Sequence, residues 1–149
     1  MKELLTAIPD VEALLALEPE ELGGKLLFLV RGRAQHMFHP EQMATEIWSL
    51  PENQRYPRQR EPEVRLALRE AWAWLEAQGL IVPADDENGR NGYKVLSRRA
   101  RKFEDPAGFA NYTAARRVPK ETLHPRRASV APFGCPSCEV SSILLSSRP

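Results

Sequence analysis

Ten basic side chains between residues 58 and 102 are the strongest candidates for binding chemistry in this 149-residue chain. They are Arg58, Arg60, Arg65, Arg69, Arg90, Lys94, Arg98, Arg99, Arg101 and Lys102. Guanidinium and ammonium groups hold the phosphates of nucleic acids, and each such contact releases condensed counterions. Residues 1–89 carry 9 Lys and Arg against 16 Asp and Glu, whereas residues 90–127 carry 11 against 3. We therefore expect the basic segment to bind a polyanion, with pairing between the basic and acidic halves as the alternative.

An acidic run, Asp85-Asp86-Glu87, is the first of two candidate metal sites. Neighbouring carboxylates could bind a cation, but this run adjoins Asn88-Gly89, a sequence that is typical of tight turns. A solvated hairpin tip is therefore the favoured interpretation.

Cys135 and Cys138 form the second candidate, with the spacing of half a zinc site or of a redox pair. The chain has no second pair of cysteines, and the nearest histidine is His124, so an incidental motif is the better interpretation. The sequence also lacks a Gly-rich phosphate loop, a nucleophile elbow and a His-Glu-x-x-His helix. We expect no metal, no cofactor and no enzymatic activity.

A helix and a β-hairpin are the predicted elements that position the basic residues. Apolar residues recur in the helix at steps of three and four: Val64, Leu68, Ala71, Trp72 and Leu75. Pro62 suits its first turn, and Gly79 suits a left-handed C-cap. Strands are predicted at residues 80–82 and 93–96. Residues 87–92 between them contain Asn-Gly twice, and either pair could supply the positive φ of a tight turn.

Further helices are predicted on both sides of this unit. Asp10 is a plausible N-cap, Pro19 and Pro40 suit first helical turns, and Ser97 can cap a short basic helix. Gly23-Gly24 either weakens the helix that begins at Pro19 or lets another helix approach closely. Residues 51–61, between the second and third main helices, are too many for the 3–4-residue turn of a compact helix-turn-helix.

The predicted fold class is α+β, a winged helix-turn-helix of three helices and a two-stranded β-wing, with flanking helices and an unstructured tail. An amino-terminal helical segment is expected at residues 1–17, the winged-helix-like domain at 18–103, and a linker helix with a basic segment at 104–127. Residues 128–149 are expected to be a disordered or degenerate tail, because periodicity vanishes there and only two residues are charged.

Duplex DNA is the first partner that this arrangement predicts. Arg65 and Arg69 would face a groove, and the basic residues from Arg90 to Lys102 would contact phosphates. A protein-interaction or scaffold module is the second hypothesis, because Trp72 and Trp74 on nearly opposite helix faces imply packing partners on both sides. No apolar run suits a membrane span and no signal peptide is recognised, so a cytoplasmic location is expected. Neither a DNA site nor an oligomeric state is indicated.

Several short motifs carry a resemblance to a known family. They are residues 17–22 (LEPEEL), 38–40 (FHP), 71–80 (AWAWLEAQGL), 96–99 (LSRR) and 123–126 (LHPR). Residues 17–126 resemble the Ymh-type family of uncharacterised prokaryotic proteins. That resemblance implies a winged-helix-like amino-terminal part followed by a helical domain that is similar to the HEPN group and opens near Leu-His-Pro.

The resemblance to HEPN domains also implies a test for ribonuclease residues, since many such domains act in phage defence through an Arg and a later His with four to six residues between them. Three pairs match: Arg31 with His36, Arg33 with His39, and Arg117 with His124. Sixteen arginines make such matches frequent, and the third pair spans Pro119, which would break a helix. Since residues 128–149 cannot form a helical bundle, an inactive remnant of a defence effector is the third hypothesis.

Overall fold

Seven helices and a three-stranded antiparallel sheet make up the computed structural model, which describes residues 1–116. The helices are α1 (Lys2–Ala7), α2 (Val11–Leu15), α3 (Pro19–Arg31), α4 (Pro40–Trp48), α5 (Glu61–Ala77), α6 (Asp86–Arg90) and α7 (Pro106–Arg116). The strands are β1 (Met37–Phe38), β2 (Ile81–Pro83) and β3 (Lys94–Leu96). Along these residues no helix combines the length and apolarity that crossing a membrane requires. The predicted α+β class is confirmed, and the predicted tail lies outside the described residues.

The helix starts predicted from proline are confirmed. Proline occupies the first turn of α3, α4 and α5, where its fixed φ suits a helix. A backbone N–H at that position would have no intrahelical acceptor, so its absence in proline costs nothing. In α3, Glu18 and Glu21 form a reciprocal capping box, with the Glu18 N–H donating to Glu21 Oε2 at 3.2 Å. Gly79 ends α5 with φ +65°, as a left-handed C-cap requires.

The core lies mainly between α3 and α5. Leu22, Leu26 and Leu27 of α3 are at most 1% exposed, as are Val64, Leu68 and Leu75 of α5. The two helices approach closely because Gly23 has no side chain: a Cβ there would lie 3.3 Å from both Leu75 Cγ and Trp74 Cε3. Of the two interpretations of Gly23-Gly24, close approach of another helix is therefore the one confirmed.

The β-hairpin forms, with a different tip and an additional strand. Ile81 pairs with Leu96 and Val82 with Val95, antiparallel as expected. The predicted tight turn is wrong, because α6 fills the connection and Gly92, at φ +88°, brings the chain back into β3. β1 pairs with the other edge of β3, giving the order β1-β3-β2. Two residues are too short to show the alternation that reveals a strand, so β1 escaped prediction.

The long connection between α4 and α5 is anchored to the amino-terminal helices. Tyr56 is 2% exposed, and its hydroxyl donates to the Ile8 carbonyl oxygen at 2.6 Å. This burial raises the pKa of the Tyr56 hydroxyl to about 12. Short 3₁₀ turns at Glu52–Gln54 and Arg58–Arg60 flank Tyr56. The connection therefore packs α1 and α2 onto the core instead of forming a tight turn.

An aromatic cluster fixes α7 to the other side of α3. Phe109 is 4% exposed and makes edge-to-face contacts with Phe28, Trp74 and Phe103, at centroid distances of 6.3, 6.2 and 5.3 Å. On α5, Trp72 lies on the side opposite to Trp74, with its ring centroid 5.3 Å from that of Phe38. The expectation that α5 has packing partners on both sides is confirmed.

Replacing Leu75 with Ala should lower the free energy of unfolding by about 2–5 kcal/mol, because it leaves a cavity in a fully buried site. Leu66→Ala on the same helix is the matched control, since Leu66 is 56% exposed and its truncation should cost less than about 0.5 kcal/mol. Urea denaturation followed by circular dichroism measures both. Equal losses in the two variants would contradict the placement of the core.

Replacing Gly24 with Ala should destabilise the fold by about 1–3 kcal/mol. Ala has the higher helix propensity, but the destabilisation from overpacking exceeds the stabilisation that this propensity gives. The new Cβ would lie 2.8 Å from Phe109 Cε1, within a ring cluster that leaves little room to move. Gly32→Ala, at the end of the same helix with no atom closer than 3.6 Å, should be neutral or stabilise by up to about 1 kcal/mol. Thermal melting of the two variants compares them, and a stabilised Gly24 variant would refute the close contact.

Candidate functional site

Four exposed cations lie within five residues in the turn that connects β3 to the segment before α7. This basic turn consists of Arg98, Arg99, Arg101 and Lys102. Ser97 Oγ accepts a hydrogen bond from the Ala100 N–H at 3.2 Å, as the sequence predicted for a Ser97 cap. Ala100 itself is 1% exposed, so it fixes the turn against the core. The backbone is therefore held from within while the four basic side chains face outward.

The basic turn borders a shallow depression of about 560 Å³ at the carboxyl end of α5. Gly79 and Ser97 line it together with Arg98, Arg99 and Lys102. Arg99 Nη1 donates to the Gln78 carbonyl oxygen at 3.2 Å, which caps the last turn of α5. Cations at a helix carboxyl terminus also complement its dipole, so part of this charge has a structural role. Within residues 1–116, no ion pair forms at Arg98, Arg101 or Lys102.

The two arginines that were expected to face a groove are paired with carboxylates. Arg65 Nε donates to Glu61 Oε1 at 2.9 Å and lies 3.9 Å from Glu41 Oε2 through Nη1. Arg69 Nε donates to Glu41 Oε1 at 2.7 Å. The hydrogen bond from Arg69 holds the pKa of the Glu41 carboxyl below its usual range, so this carboxylate stays charged at neutral pH.

Three more of the predicted residues also have acidic neighbours. Lys94 Nζ lies 2.6 Å from Glu76 Oε1, which joins β3 to α5. Arg60 pairs with Glu12 and, at 2.6 Å, with Glu63; these contacts raise the Arg60 pKa. Arg58, whose side chain is 70% exposed, is 3.8 Å from Glu61. The charges of Lys94 and Arg60 are therefore largely neutralised within the fold, whereas Arg58 keeps only a long contact.

The ten predicted basic residues do not form one surface. Arg58 and Arg60 precede the first turn of α5, and the basic turn lies beside its last, a separation of about 25 Å for a 17-residue helix. Arg90 is exposed in α6, beyond the other end of β3. Of these ten residues, only those of the basic turn bring several unpaired cations together within residues 1–116.

The remaining candidate residues either have structural roles or do not form a cluster. Among the described residues, no group of three or more His, Cys, Asp and Glu side chains could hold a metal, and the acidic run at 85–87 lies exposed at the start of α6. Arg33 donates to both Glu46 oxygens, at 3.0 and 2.7 Å, and thereby lowers the Glu46 pKa to about 2. His39 caps α4 through Nδ1, and its Nε2 lies 3.1 Å from the Asn91 carbonyl oxygen. Arg117, His124 and the two cysteines lie outside the described residues.

The sequence pattern did not predict the carboxylates that pair with the candidate site residues. Glu61 lies four residues before Arg65, a spacing that does predict a helical ion pair. Glu41 and Glu76 reach Arg69 and Lys94 from other elements. No spacing in the sequence reveals such contacts.

No protein-family model, no curated protein and no solved structure matches this chain. The resemblance to the Ymh-type family thus stays a prediction, and the basic turn is the feature of residues 1–116 that best indicates a function.

Proposed function

We propose that this protein is a winged-helix-like module that binds duplex DNA through phosphate contacts made by the basic turn. The observation that carries the proposal is the set of four exposed cations within five residues, none of which forms an ion pair within residues 1–116. Phosphate contacts position a protein on DNA without reading its sequence. The proposed activity is therefore binding with little sequence preference.

The order of elements supports a winged-helix-like assignment. Three helices, α3, α4 and α5, are followed by the β2–β3 hairpin, and β1 lies between the first two helices and completes the sheet. In this arrangement α5 would be the helix nearest the groove and the hairpin would be the wing. The twelve residues between α4 and α5 depart from a compact helix-turn-helix, and the buried Tyr56 explains how the fold accommodates them.

Charge pairing argues against base reading by α5. Bidentate recognition of a base needs a guanidinium fork that is free to point into the groove. Arg65 is held by Glu61 and Arg69 by Glu41, and Glu70 adds negative charge to the exposed face. Affinity would then come from the basic turn, and its dependence on salt would follow the small number of phosphates contacted.

A protein-interaction module is the second candidate, supported by an apolar row across the sheet. Met37 and Val82 both pair with Val95, so the three side chains share one face. Met37 is 42% and Val82 38% exposed. A protein partner that covers this row would make the sheet, and not the basic turn, the functional surface.

The double variant Arg98→Ala/Arg101→Ala should weaken binding to two duplexes of unrelated sequence by the same factor. The slope of log affinity against log salt should become shallower by about 0.9 for each lost phosphate contact. Arg99 is kept because it caps α5. Fluorescence anisotropy across a salt series measures the slope, with Arg58→Ala, an exposed arginine at the other end of α5, as the control that should change little. Absence of binding by the unmodified protein at low salt would overturn the proposal.

Replacing Glu41 with Gln should strengthen duplex binding about 2- to 5-fold, because it releases Arg69 and weakens the hold on Arg65 at the small cost typical of a surface ion pair. The log–log slope should steepen by about one to two units as these arginines reach phosphates. Glu52→Gln removes the same charge from an exposed 3₁₀ turn and is the matched control. Identical affinities for the two variants would place α5 away from the DNA.

A further inference from the structure

The cations of the basic turn are not equivalent, because three of them surround one concave space. Arg98, Arg99 and Lys102 line the depression of about 560 Å³ at the carboxyl end of α5, whereas Arg101 lies outside its lining. Within residues 1–116, no carboxylate contributes to this lining. A concave surface that carries charges of one sign concentrates the electrostatic potential. The depression is therefore a more positive site than the outer surface of the turn.

The side chains that line the depression have unused hydrogen-bond donors. Among the described residues, the side chains of Arg98 and Lys102 have no hydrogen-bond or ion-pair partner. Ser97 Oγ accepts a backbone N–H at 3.2 Å and donates no bond there, although a hydroxyl can do both. Arg99 uses Nη1 on the Gln78 carbonyl oxygen and keeps the other N–H groups of its guanidinium. Donors from four side chains are thus available to one acceptor group.

The carboxyl end of α5 opposes the binding of an anion only partly. A helix carboxyl terminus carries about half a negative charge, and the bond from Arg99 to the Gln78 carbonyl offsets some of it. Gly79 leaves the depression open, since a Cβ at that residue would have no atom within 4 Å. Three full positive charges exceed the partial negative charge of the helix end, so the site favours an anion.

A terminal phosphate of a nucleic-acid strand suits this site better than an internal one. A phosphate monoester carries about −1.5 to −2 charges at neutral pH and has three acceptor oxygens, whereas a phosphodiester carries one negative charge. An internal phosphodiester is linked to the chain on both sides, so it lies along the duplex surface. A terminal phosphate is linked on one side only and can project into a depression. Its second charge is attracted by all three surrounding cations.

We propose that the depression binds the terminal phosphate of a DNA strand, so that the protein prefers phosphorylated duplex ends to internal sites. This proposal rests on the proposed duplex binding and assigns different roles to the cations of the turn. Arg98, Arg99 and Lys102 would surround the terminal phosphate. Arg101 would contact an internal phosphate whether or not the end is phosphorylated.

Short duplexes of one sequence test the preference, with phosphate, methyl phosphate or hydroxyl groups at their 5′ or 3′ ends. Fluorescence anisotropy at low salt should show that a phosphorylated duplex binds about five- to tenfold more tightly than the hydroxyl duplex, since one more charge meets several exposed cations. The methyl phosphate keeps one charge and should give an intermediate affinity. A phosphorylated duplex that binds no more tightly than the other two, at either end, would overturn the proposal.

A matched pair of variants locates the site, because Arg101 and Lys102 are adjacent, exposed and of the same charge. Lys102→Ala should lower the ratio of phosphate to hydroxyl affinity by about two- to threefold. Arg101→Ala should weaken both duplexes and leave that ratio unchanged. Circular dichroism checks that both variants are folded. A ratio that falls equally in the two variants would show that the depression does not select the terminal phosphate.

Two further probes separate this proposal from the duplex binding on which it rests. A duplex closed by hairpin loops has no ends, so its binding without any preference for phosphorylated ends would overturn the proposal alone. Absence of binding by every duplex at low salt would overturn the proposed function as well. Thymidine monophosphate supplies the same phosphate without a duplex. If it binds as tightly as the phosphorylated duplex, the site takes a free phosphate monoester and the assignment to DNA ends is wrong.

Discussion

The paired glycines of α3 are the constraint on which the rest of the structure depends. Gly23 faces α5, where Trp74 and Leu75 lie 3.3 Å from the position of its absent Cβ, and Gly24 faces Phe109 of α7. A glycine within a helix costs about 1 kcal/mol relative to Ala, so two in succession weaken α3 considerably. Burial of the leucines between α3 and α5 offsets that cost, since each contributes about 1.5–3 kcal/mol. The two glycines thus lower the local stability of α3 and allow α5 and α7 to contact it closely.

Ion pairing within the fold determines which basic side chains are available to bind another molecule. Individual surface ion pairs contribute at most about 1 kcal/mol to stability. The ion pairs of Arg65, Arg69 and Lys94 therefore add little to the stability of the fold. Their effect on the proposed DNA binding would be larger, because each paired carboxylate would repel the phosphate that could otherwise take its place. Glu41 contacts both Arg65 and Arg69 and is therefore the most influential of these carboxylates. A count of basic residues overestimates the available positive surface for this reason.

Local rules predicted much of the fold from the sequence, and long-range contacts account for what was missed. Proline at helix starts, Gly79 at a helix end and the 3.6-residue period along α5 act within a few residues, so they are readable without a structure. β1 is two residues long and exists because β3 offers an edge to pair with. Tyr56 lies 48 residues from the Ile8 carbonyl that it contacts, and nothing in the sequence of residues 51–61 indicates that partner. The partners of the candidate site residues were hidden in the same way, because Glu41 lies 28 residues from Arg69.

The position of the basic turn depends on the same glycine contact through α7. Phe103 follows Lys102 directly and packs on Phe109 and Tyr112 at centroid distances of 5.3 and 5.1 Å. Phe109 in turn occupies the space that Gly24 leaves open. The turn is thus tied to the core at its middle by Ala100 and to the aromatic cluster just past its carboxyl end by Phe103. Because the backbone is fixed at these two points, the proposed phosphate contacts would cost mainly side-chain entropy, which favours binding by a short segment that has few contacts to offer.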